Sequence, residues 1–129
     1  MATGFPSATG DILTAAMYNG LVTFEIGTDQ TADYTAVIGD GYQKLVPMNK
    51  ATAVAFKIPT NASVAFPVGT VLNVLNKGAG TVTISAVTSG TTTILSAGAT
   101  AASPTLGQYK MAAVVKVAVD TWYCVGSVG

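Results

Sequence analysis

Three carboxylates stand near one another in the chain, Asp29, Asp33 and Asp40. Clustered carboxylate oxygens are what a hard cation such as Ca²⁺ requires, but their spacing matches no calcium-binding loop, and acids solvated in turns are the plainer reading. Asp11 and Glu25 offer no evident pairing for glycosidase-type acid/base work, which needs two carboxyl groups flanking one bond. Cys124 lies in a strand-like run beside Trp122 and Tyr123, where it reads as a small core side chain rather than a nucleophile. Gly78-Ala79-Gly80 lacks a following helix and the Lys-Ser/Thr pair of a phosphate-binding loop, so it reads as a turn. Tyr18, Tyr34, Tyr42, Tyr109, Tyr123 and Trp122 would form a sugar-stacking platform if several shared one face; core and interface duties suit most of them better. No catalytic, metal or cofactor constellation emerges, and the expectation is a non-enzyme.

The composition narrows the field further. The 129 residues suit one domain, and only 9% of them are charged, against about 25% in an average soluble domain. All six basic residues are Lys, six acids balance them, and His is absent. Without His there is no Ser–His or Cys–His pair and no imidazole ligand. Without Arg or net positive charge, phosphate-backbone binding has no electrostatic footing, and nucleic acid is not an expected partner. A single Cys excludes an internal disulfide framework. The start of the chain has no basic and apolar leader pattern, and no apolar run approaches a membrane span, so no membrane insertion is expected. A neutral exterior of Thr, Ser, Ala, Asn and Gly lacks the mutual repulsion that holds copies apart, which favours assembly over a monomer.

Short strands must position whatever this surface presents. Residues 1–20 read as an N-terminal arm with one short helix, in which Thr14 caps Ala15 to Asn19 and Gly20 ends it. Residues 21–129 read as a β-domain, with Gly, Pro and Asn turns about every ten residues. Strands are expected over 21–26, 34–38, 43–48, 53–58, 70–75, 81–86, 92–95, 110–118 and 122–127. Gly39-Asp40-Gly41 reads as a hairpin turn, and Val119-Asp120-Thr121 joins the last two strands. Period-two alternation places Leu72, Val74 and Asn76 on one face and Val71, Asn73 and Leu75 on the other, and sets Val82 and Ile84 against Thr81, Thr83 and Ser85. Trp122 and Cys124 likewise oppose Tyr123 and Val125. The small-residue stretch 97–107, broken by Pro104, reads as a surface loop. The expected fold class is all-β, an antiparallel β-sandwich behind a short arm.

Two stretches resemble a known family. Gly10-Asp11-Ile12-Leu13-Thr14-Ala15-Ala16 through Asn19 is similar to an opening found in many tailed-phage structural proteins. The stretch 34–48, then Ile58-Pro59-Thr60-Asn61-Ala62-Ser63 through Phe66-Pro67-Val68-Gly69-Thr70, Gly78-Ala79-Gly80-Thr81-Val82-Thr83-Ile84, and Trp122 through Gly126, resembles a β-domain of bacteriophage tail-fibre, tailspike and head-decoration proteins. The departure is at Asp40-Gly41-Tyr42-Gln43-Lys44, where two extra residues precede the lysine and a reshaped turn is expected. The resemblance implies a trimeric viral structural module. In fibres and spikes it ends a long chain; here it follows a short arm with its own Met1, which suits a capsid decoration, or cement, protein. Such a protein would sit on the outer capsid surface of the virion, having assembled in the host cytoplasm, as a homotrimer bound to the major capsid protein. Phe5, Pro6, Ile12 and Leu13 are the expected capsid contacts, with Val, Thr and Ala strand faces forming the trimer. The alternative is a tail-fibre or tailspike tip binding host-surface glycans through exposed Tyr and Trp.

Overall fold

Alternating burial builds the strands. Val82 and Ile84 are buried while Thr83 and Ser85 between and beyond them are half-exposed, and Trp122 and Cys124 are buried while Tyr123 and Val125 face outward. A computed structural model describes Ala15, residues 23–96 and residues 103–128. Ala15 is helical and exposed; the remainder of the expected arm, with Phe5, Pro6, Ile12, Leu13 and Tyr18, lies outside the described residues.

The strands are β1 (Glu25–Ile26), β2 (Tyr34–Thr35), β3 (Lys44–Met48), β4 (Val54–Ile58), β5 (Val71–Asn76), β6 (Val82–Ala86), β7 (Thr93–Leu95), β8 (Thr105–Leu106), β9 (Met111–Ala118) and β10 (Thr121–Gly126). They form two mixed sheets, a six-stranded one in the order β1-β3-β5-β9-β10-β7 and a four-stranded one in the order β2-β4-β6-β8. The chain is therefore all-β across the described residues, apart from Ala15 and the 3₁₀ turn Ile38–Gly41.

From β1 to β6 the chain delivers a strand to each sheet in turn. β3 pairs parallel with β1 and β5 with β3, while β4 pairs parallel with β2 and β6 with β4. A parallel pair needs a crossover, and here each crossover is a strand in the opposite sheet, so the chain winds as a coil. β9 then closes on β5 in the antiparallel sense, β10 on β9, and β8 on β6. The expected antiparallel character is met only in those three pairings; β7 adds to β10 in parallel. Gly39-Asp40-Gly41 is accordingly not a hairpin. It belongs to the 3₁₀ turn that carries the chain from β2 in one sheet to β3 in the other, and Gln43 after it takes φ 53°. The expected surface loop 97–107 holds β8 at its end, with Leu106 buried. The turn between β9 and β10 falls where expected, and Asp120 adopts φ 54° there.

Successive coils stack directly at the corner between sheets. Lys77 N–H donates to the Met48 carbonyl at 2.8 Å and Gly80 N–H to the Lys50 carbonyl at 2.9 Å. A Cβ on Gly78 would overlap the Lys50 backbone, and one on Gly80 the Thr52 carbonyl, so the approach requires glycine at both positions. Asn76, fully buried at the end of β5, holds this corner: its Nδ2 donates to the Gly80 and Leu106 carbonyls, each at 2.9 Å, and its Oδ1 accepts from Gly78 N–H at 3.0 Å. Between the sheets, Val46, Met48, Leu72, Val74, Val114 and Trp122 from one meet Phe56, Ile58, Val82, Ile84 and Leu106 from the other in a single core. Phe66 packs edge-on against Trp122 with ring centroids 5.6 Å apart.

Candidate functional site

The outward side of the six-stranded sheet is built from the positions that alternation turns away from the core. Register aligns Val125, Ala113, Asn73, Leu45 and Ile26 in one row across five strands. A second row runs Leu95, Tyr123, Val115 and Val71. A third joins Met111, Leu75 and Pro47. None of these positions carries a charge, and apart from the Tyr123 hydroxyl Asn73 supplies the one polar side chain among them. Ile26 is 66% exposed, Val125 54% and Tyr123 47%, while Asn73 and Pro47 are buried within the face. Beside it lies a cavity of about 310 Å³ bordered by Phe24, Tyr42, Pro67, Thr70, Val71 and Asn73. Scattered apolar residues are ordinary on a surface, whereas contiguous rows are what an interaction site or a ligand groove presents.

The carboxylates do separate structural work. Asp29 accepts from Asn49 Nδ2 and from Lys77 Nζ, each at 3.0 Å, tying the approach to β2 to the two corners that follow. The Asn49 bond first, and Lys77 second, hold its carboxyl below the ordinary aspartate range. Asp33 accepts the Ala55 N–H at 2.9 Å. Asp40 is fully buried; its Oδ2 accepts the Tyr34 hydroxyl at 2.6 Å and Val37 N–H at 2.9 Å, and Lys44 Nζ stands 3.5 Å from its Oδ1. Burial, and then the bond to Asp40, push the Tyr34 phenol well above its ordinary value. Among the described residues no three His, Cys, Asp or Glu side chains gather as a metal site. Glu25 pairs across the sheet with Lys44. Asp40→Ala would strand the Tyr34 hydroxyl, the Val37 amide and the Lys44 ammonium together. The expected loss is about 2–4 kcal/mol in urea unfolding.

Among the described residues, the aromatic candidates divide between core and surface. Trp122 is 1% exposed and belongs to the core, so it is not available for sugar stacking. Tyr34 is half-buried against Phe56, whereas Tyr42, Tyr109 and Tyr123 are exposed.

Cys124 is buried, and desolvation pushes its thiol up to about 11 from an ordinary 9.0. The native protein should therefore resist alkylation at pH 8 while the urea-unfolded chain reacts. Because the folded value is the raised one, its contribution is intact below about pH 9 and is lost as pH climbs through about 11. That limb amounts to about 2–3 kcal/mol, and Cys124→Ala should lack it when stability is measured from pH 8 to 11.

One cluster escapes a sequence reading. Lys116, on β9, is 2% exposed and meets Asn61 from the β4–β5 loop, with Asp120 behind it. The signal for it was faint: Lys116 occupies the inward register of Ala112 and Val114, where a charge is unexpected. Comparison with protein-family models, with curated proteins and with solved structures finds no match to this chain.

Proposed function

We propose that the chain is a structural protein of a tailed-phage virion, a capsid decoration or cement protein that works as a homotrimer. Its two sheets are read as a β-sandwich whose outer, six-stranded side is covered by neighbouring subunits. The observation that carries this reading is the charge-free row Val125–Ala113–Asn73–Leu45–Ile26 on a chain with only 9% charged residues. Depletion of charge is characteristic of interface centres and not of freely dispersed surfaces. The family resemblance in the Ile58–Thr70 and Trp122–Gly126 segments supplies the viral context. Each clamp on the shell is weak, and many copies add up to a large stabilisation of the assembled capsid, with no catalytic step required.

Sedimentation equilibrium of the purified protein tests the assembly: a mass of three chains is expected, and a clean monomer at high micromolar concentration overturns it. Quantitative mass spectrometry of purified particles tests the location. A copy number comparable with that of the major capsid protein supports the cement role, whereas a few copies per particle supports a tail appendage. The glycan-binding alternative loses Trp122 to the core and, among the described residues, rests on Tyr42, Tyr109 and Tyr123. A glycan array with the isolated protein is expected to be blank.

A further inference from the structure

Lys116 Nζ donates to Asn61 Oδ1 at 2.5 Å and to the Phe66 carbonyl at 2.7 Å, and lies 5.8 Å from the centroid of the Trp122 ring. Asn61 in turn donates its backbone N–H to Asp120 Oδ1 at 2.8 Å, so it stands between the amine and that carboxylate. Thr92 Oγ1 holds the same oxygen of Asp120 at 3.1 Å. A buried amine thus meets a half-buried carboxamide beside the Trp122 ring, with a half-buried carboxylate on the carboxamide's far side. These are the reagents for exchanging one amide for another. We propose that Lys116 and Asn61 join in an intramolecular isopeptide bond, with Asp120 carrying the protons.

The chemistry balances without an oxidant or reductant. Lys116 is not in direct contact with the Asp120 carboxylate, so it gives up a proton to it by way of water at this part-buried edge and becomes a neutral amine. Its lone pair forms the Nζ–Cγ bond to Asn61 while the carbonyl electron pair moves to Oδ1. The newly bonded Nζ then sheds a second proton, which passes to Nδ2; as the tetrahedral intermediate collapses the carbonyl re-forms, the Cγ–Nδ2 bond breaks, and ammonia departs and takes up the first proton from Asp120 as ammonium. One C–N bond is made and one is broken. Two features of the site favour the step. Desolvation lowers the affinity of the amine for its proton, and it outweighs the opposing charge of Asp120. Fixation of both groups by the fold replaces a bimolecular encounter, an advantage of many orders of magnitude when the geometry is held. The product would tie the β4–β5 loop to β9 across the edge of the core, next to Trp122. This inference stands apart from the virion reading, since it concerns one chain and needs no partner.

Intact-mass spectrometry of the folded, purified protein is the test. The expected mass is that of the sequence less one ammonia, with a branched proteolytic peptide joining Asn61 to Lys116 and no tryptic cleavage after Lys116. The full sequence mass overturns the proposal. So does loss of ammonia without the branched peptide, which would mean cyclisation at an asparagine instead. Asn61→Ala and Lys116→Met should restore the full mass. Asp120→Asn keeps a residue that tolerates a positive φ, and it should fold with native Trp fluorescence yet stay uncross-linked. A cross-linked Asp120→Asn protein would remove Asp120 from the reaction.

Discussion

Gly80→Ala is expected to cost about 3–5 kcal/mol and to shift the urea midpoint far below that of the parent protein. The added Cβ falls on the Thr52 carbonyl, part of a neighbouring corner rather than the tip of a movable side chain. Forcing the corners apart costs about 1–3 kcal/mol as overpacking. It also breaks the Gly80 N–H bond to Lys50 and the Asn76 bond to the Gly80 carbonyl, leaving a buried carboxamide partly unsatisfied. That adds about 1–3 kcal/mol, on a domain whose whole stability is expected at about 5–15 kcal/mol. Gly39→Ala is the control, because a Cβ there meets nothing within 4 Å and should change stability by less than about 0.5 kcal/mol. Equal stabilities for the two variants would mean that the coils are not stacked as described.

On the proposed trimer, Val115→Lys is expected to release single chains without unfolding them. Val115 sits between Val71 and Tyr123 on the outward side of β9, half-exposed, so a lysine there can reach solvent in the isolated chain. Covered by a neighbouring subunit, the same ammonium would be buried without a partner, a penalty of several kcal/mol at each contact. Sedimentation should report the monomer mass with a melting temperature close to that of the dissociated parent. Retention of the oligomer would place the subunit contact elsewhere on the protein. The test differs from one of stability because the substitution leaves the core rows of β9, Ala112 and Val114, untouched.

Much of the strand pattern was legible, and the pairing was not. Alternation at Leu72/Val74, Val82/Ile84 and Trp122/Cys124 dictates which side of a strand is buried, and those assignments agree with the structure. Alternation says nothing about which strand lies alongside. Glycine around Asp40 serves a hairpin and a corner between sheets equally well, so the local signal favoured the commoner antiparallel connection. A clue to the coil lay in the recurrence of Asn-Lys at 49–50 and 76–77, each followed by Val54-Ala55-Phe56 or Val82-Thr83-Ile84. Those are the segments that pair in parallel. β8 is too short to register as a periodic run, and only its contact with β6 defines it. The polar clusters were least legible. Asp40, Asn76 and Lys116 are polar residue types usually found outside, and only long-range contacts decide that they lie inside. The outward rows of the large sheet were visible as apolar positions, but their alignment depends on register and therefore on the coil.

The order in which strands join the sheets also constrains when the protein can become itself during synthesis. β9 and β10 follow all the other strands along the chain, yet they occupy the interior of the large sheet, with β10 carrying Trp122 into the centre. Until they arrive, β5 lacks its antiparallel neighbour and β7 has no partner from β10 in that sheet. A nascent chain halted before β9 would therefore display raw hydrogen-bonding edges and uncovered apolar rows. Such edges invite pairing with other unfinished chains, which makes the synthesis of β9 and β10 a decisive moment for yield.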